Sequence, residues 1–77
     1  MINVVASWDK VTGQSRIHLI LDSNQMPTAE RRAQVVATVR ALEAEFDAER
    51  VEVVSGVARS LKDFRETDPR FLHATGP

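Results

Sequence analysis

Residues 7–18, SWDKVTGQSRIH, hold the only tryptophan, one of two histidines and one of three glycines, and their reading decides how the chain folds. Before them Ile2, Val4, Ala6 and Trp8 alternate with other residues, and after them Ile17, Leu19 and Leu21 do the same. A period of two is the signature of a strand with one buried face. Gly13 reaches the positive φ that the first central position of a type II′ turn requires, so the stretch predicts a hairpin with Gly13 and Gln14 at its tip. This register sets Trp8 opposite Leu19, Ala6 opposite Leu21 and Asp9 opposite His18. A three-residue loop would set Trp8 against Arg16, and a four-residue loop over residues 11–14 would keep the faces and shift the register.

Beyond the hairpin, DSNQMPT breaks the alternation, and Thr28 is placed to cap a helix running to about residue 48. Val35, Val39, Leu42 and Phe46 form a single stripe on that helix, which must face the core. Ala33, Ala37 and Ala44 line its opposite side, as expected of the best helix former. Val51, Val53, Ser55 and Val57 alternate as a third strand. A short helix then carries Val57, Leu61 and Phe64, with Ser60 and Asp63 as a capping pair. Asp68-Pro69 has the form of a new helical turn, returning Phe71 and Leu72 to apolar surface.

The order β-β-α-β-α predicts an α+β fold, a two-layer α/β sandwich. Its three-stranded mixed sheet carries the long helix on one face and has a short helix at the C-terminus. A right-handed crossover makes the second and third strands run in the same direction, either as neighbours or with the first strand between them. Residues 1–67 form the compact domain, and residues 68–77 a tail with a short helical turn. The segment VEVVSGVARSLKDF resembles the last strand and helix of anti-sigma-factor-antagonist (STAS) domains. It spans under a third of the chain and lacks that family's central phosphoacceptor context, so the resemblance implies no site here.

Composition narrows the function classes. Hydrophobic residues at 43% and charged residues at 27% match an ordinary globular domain and not a disordered one. Ten basic and eleven acidic residues leave a net charge of -1, which argues against a dedicated nucleic-acid binder and leaves a nucleic-acid-associated accessory role as a minor alternative. With no cysteine, disulfides, thiolate metal sites and thiol nucleophiles are excluded. The N-terminal residues lack the pattern of a secretory leader, which predicts a cytoplasmic location.

Three sites follow from the residues. If the apolar strand positions and Val51 and Val53 face the long helix, the second face carries Val5, Ile20 and Val54, rimmed by Ser7, His18 and Glu52. An apolar centre with a polar rim predicts a protein interface, extended by Phe71 and Leu72, unless the C-terminal segment folds over that face. A weaker anion site is expected at Ser55, Gly56, Arg59 and Ser60, where a strand meets a helix N-terminus. Asp9 opposite His18 could orient an imidazole as a general base, but no nucleophile or oxyanion device accompanies the pair. The sequence therefore predicts a small non-enzymatic interaction module, regulatory or inhibitory, forming a homodimer or docking on a larger protein through the second sheet face or a sheet edge, with no metal or cofactor.

Overall fold

The computed structural model describes all 77 residues, Met1–Pro77. Three strands, β1 (Ile2–Asp9), β2 (Ser15–Asp22) and β3 (Val51–Ala58), accompany two α-helices, α1 (Thr28–Glu45) and α2 (Leu61–Thr67), and a 3-10 turn at Pro69–Phe71. The predicted α+β class holds. The sheet order is β2-β1-β3, the second of the two orders the sequence left open. Both pairings are antiparallel, so the sheet is not mixed: β2 and β3 run the same way but never touch, because β1 lies between them.

The hairpin differs from the Gly13-Gln14 turn in a way that propagates. The Asp9 amide donates to the Gln14 carbonyl (2.8 Å) and the Gly13 amide to the Asp9 carbonyl (2.8 Å), closing a loop over residues 10–13. Within it the Asp9 carboxylate accepts the amides of Val11 (2.9 Å) and Thr12 (3.1 Å). Gly13, with φ 77°, is the last residue of the loop instead of the first residue of a tight turn. A carboxylate that captures two local amides stabilises the longer turn, the general way aspartate competes with ladder bonding. Hydrogen bonding by the Thr12 amide holds the Asp9 carboxyl below its ordinary range against the opposing effect of desolvation, with the Val11 amide and Arg50 lowering it further.

Below the loop Trp8 opposes Ser15 and Ala6 opposes Ile17, but Val5 opposes Leu19, so His18 is the extra residue of a β-bulge. A bulge inverts the phase of everything after it. Ile17 therefore shares a face with Ala6, and Ile20, rather than Leu19 and Leu21, shares a face with Val4. The expected common face of Ile17, Leu19 and Leu21 is split.

The faces are covered by different elements. Val4, Ala6, Ile17 and Ala58 pack with Phe64, Phe71 and Ala74, joined by the half-buried Ile2, Trp8, Ile20, Val54 and Leu61. The other face, with fully buried Val5, lies beneath α1, whose Leu42 is buried and whose Val35 and Val39 are half-buried, as the stripe predicted; the helix stops at Glu45, short of residue 48, and half-buried Phe46 is its extended C-cap. Ala33, Ala37 and Ala44 are exposed. Thr28 does not cap α1. Pro27 holds the cap position with extended φ/ψ, and Arg31 ties the preceding loop by donating to the Ser23 carbonyl (2.8 Å) and the Met26 carbonyl (2.5 Å).

At the other helix Ser60 is the cap, accepting the Asp63 amide at 3.0 Å. Val57 belongs to β3 and not to the helix. Residues 68–77 are no loose appendage. Asp68 accepts the Arg70 amide (3.2 Å), Phe71 is fully buried, and Phe64 and Phe71 stack with centroids 5.3 Å apart. Arg70 lies over Trp8 and pairs with Asp68 (2.6 Å) and Glu52 (2.7 Å), bonding the turn to β3. No helix is long and apolar enough to cross a membrane.

Candidate protein interface

The residues expected to form the interface do not share a surface. Val5 is under α1, while Ile20 and Val54 lie on the opposite face beneath the C-terminal segment, Ile20 because the bulge at His18 inverts the second half of β2 and Val54 because the β1/β3 register sets it against Ala6. Glu52 is engaged by Arg70 and Phe71 is core; only Leu72, 48% exposed, remains open. The C-terminal segment has closed the face that the sequence left ambiguous.

The anion site is not assembled either. Ser55 and Gly56 lie inside β3, away from any helix N-terminus. The start of α2 is occupied by its own side chains: Ser60 caps it, and the Asp63 carboxylate accepts the Arg59 amide (3.5 Å). A carboxylate already sits where an anion would have to bind.

Asp9 and His18 are apart as well. His18, displaced by the bulge, shares a hydrogen bond with Ser7 (Oγ to Nε2, 2.7 Å) and packs at 6.3 Å from the Phe46 ring. Burial lowers the His18 pKa from its ordinary 6.5, the Arg16 cation lowers it further, and Glu45 opposes both. The Ser7 hydroxyl belongs to a residue only 7% exposed on the central strand, out of reach of a substrate. The pair fixes the bulge and the seat of α1.

The sequence allowed a sheet edge as a docking surface but could not say which strand forms it; the order β2-β1-β3 makes β3 one of the two edges. The Lys10 amide donates to the Arg50 carbonyl (2.8 Å), which sets the phase of the β1/β3 ladder. By alternation Glu52, Val54, Gly56 and Ala58 bond inward to β1. Val53, Ser55 and Val57 therefore direct their amides and carbonyls outward, and none of these groups has a backbone partner in a turn or loop. Val51 also faces outward, but its amide is taken by the Asp47 carbonyl (2.8 Å). Ser55 is exposed and Val57 is 60% exposed. Native edges are normally blunted by proline, lysine, a bulge or a covering segment. β3 has no proline, no lysine and an unbroken register with β1, and its one charge, Glu52, is held by Arg70. The available signal was the composition of VEVVSGVA, but it acquires meaning only once β3 is known to be outermost.

α1 lies over β1 and β3 more than over β2, so its flank borders this edge. Arg32, Val36, Arg40 and Glu43 follow one another along the helix at spacings of four, four and three, and all are exposed. Glu43 lines a hollow with Val51 and Val53, which places this flank on the β3 side. The fold and site thus define a small α+β domain with one unguarded strand. Comparison with family models, curated proteins and solved structures finds no match to this chain.

Proposed function

We propose that the protein is a small non-enzymatic interaction module, regulatory or inhibitory in role, that engages a protein partner by strand addition along β3. One observation carries the reading: the outward amides and carbonyls of Val53, Ser55 and Val57 stand unpaired on an edge without a guarding device. Strand addition gives affinity through main-chain hydrogen bonds and specificity through alternate side chains. Here these are the half-buried Val53 and the exposed Val57 on the α1 side.

The test is site-specific photo-crosslinking. A photoreactive residue at position 55 is expected to yield a protein adduct that the same residue at position 12, on the hairpin loop, does not. Equal yields from the two positions, or none from either, would overturn the assignment of the edge as an interaction surface.

A further inference from the structure

Resting on that reading, we infer that the segment added to β3 is an extended stretch of another protein that carries an acidic side chain at the Val57 end of the strand. Both ends of α1 are placed along β3. Glu43, near the C-terminus of the helix, shares a hollow with Val51 and Val53 at the start of the strand. The loop before its N-terminus is tied to the other end of the sheet: the Ser23 amide donates to the Met1 carbonyl (3.0 Å), next to the pairing of Ile2 with Ala58. The helix therefore runs antiparallel to β3. Turning about 100° and rising about 1.5 Å per residue, it brings Val36 and Arg32 within about 20° of Glu43 around its axis. At about 3.3 Å per residue along the strand, Val36 then stands level with Ser55 and Arg32 level with Val57.

The groove between this flank and the open edge has an apolar middle and unlike ends. Val57, 60% exposed, and Val36, 41% exposed, border it with the half-buried Val53, and the small Ser55 leaves room there for an aliphatic side chain. At the Val57 end stand Arg32 and Arg59, both exposed and neither in a salt bridge. The Asp63 carboxylate takes the amide of Arg59 and not its guanidinium. At the Val51 end the flank offers the carboxylate of Glu43, likewise exposed and unpaired.

That polarity selects the occupant. An added strand presents alternate side chains to the α1 face. An aliphatic one opposite Ser55 packs against Val36. The next on that face, opposite Val57, comes level with Arg32 and two residues from Arg59, where a carboxylate gains charge-assisted hydrogen bonds. The same carboxylate at the other end would meet Glu43. β3 of a second copy presents only Val51, Val53, Ser55 and Val57 on this face and would leave both guanidiniums without a carboxylate from the added strand.

Capped eight-residue peptides of alternating valine and threonine test this at low ionic strength. Two carry a pair of glutamates, one peptide at its N-terminal end and the other at its C-terminal end, and glutamine and lysine versions of each are the controls. Binding is read from the amide shifts of the nitrogen-15-labelled chain. The glutamate peptide whose direction puts its acids beside Arg32 should shift Val53, Ser55 and Val57 and bind about 10-fold tighter than its glutamine version, with the lysine version weaker still. Arg32→Glu, at an exposed helix position, should remove that preference and leave the circular dichroism unchanged. Equal affinity of the glutamate, glutamine and lysine peptides at these amides overturns the acidic segment while the open edge stands. Shifts of the same amides when the peptide-free chain is diluted, or when oligothymidylate replaces the peptides, assign the edge to a second copy or to nucleic acid and overturn it as well. Absence of any peptide-induced shift at millimolar concentration also overturns it, and the crosslink at position 55 then decides separately whether the edge is used.

Discussion

The two edges of this sheet are built oppositely. Along β2, Thr75 of the tail donates to the Ser15 carbonyl (3.1 Å) and accepts the Ile17 amide (2.8 Å), pairing the first half of the strand. Immediately after, the bulge at His18 interrupts the register. β3 has neither device, although both edge strands have eight residues. A small chain has little surface to spare, and this one devotes its last residues to closing one edge and leaves the other open. The difference teaches where association is resisted and where it is permitted.

The comparison breaks most severely at Phe71. Its fully buried ring anchors the segment that carries Thr75 to β2. Phe71→Ala should cost about 3–5 kcal/mol, a large part of the stability of so small a domain. Urea denaturation measures it, and a loss below about 1 kcal/mol would show that the tail is not anchored by this ring.

Deleting residues 73–77 should cost less, about 1–3 kcal/mol, through loss of the buried Ala74 and the two Thr75 bonds. Its sharper signature is local: exchange of the Ile17 amide should rise toward that of the Ser55 amide in the monomer, making the edges alike. Unchanged protection of Ile17 would deny the tail its guarding role.

The bulge is testable through pH. Because burial lowers the His18 pKa in the folded state, the unfolded chain binds the proton more tightly. His18 therefore contributes stability that is complete above the ordinary pKa of 6.5 and is lost as the pH falls from there through the lower folded value. Denaturation midpoints should drop between pH 7 and 5, and His18→Gln should flatten that part of the profile. A slope identical in the variant would assign it to other groups.

The smallest stability effect is expected at the open edge. Val57→Lys places a gatekeeping charge on a residue 60% exposed and should change monomer stability by no more than about 0.5 kcal/mol while abolishing strand addition. A large destabilisation would mean that Val57 is core rather than edge.

Much of this was legible in the chain. The stripe Val35, Val39, Leu42 and Phe46 gave α1 its buried side, Ser60 and Asp63 gave α2 its cap, and Asp68-Pro69 gave the turn that buries Phe71. These are local signals, readable within a few residues. The site was not legible, because it depends on which strand is outermost. Alternation would place Leu19 and Leu21 with Ile17 had the register not slipped at His18. That slip depends on Ser7 and Phe46, eleven and twenty-eight positions away in sequence, holding the imidazole on the α1 side.

The sequence by itself determined the order of elements and the polarity of each one, since period, caps and turn residues act through neighbours along the chain. Only the tertiary structure decided the strand order, the sorting of Val5 from Ile20 and Val54, and the closure of one edge by Thr75. Those depend on long-range hydrogen bonds and burial, in which a one-residue slip exchanges the two faces of a strand.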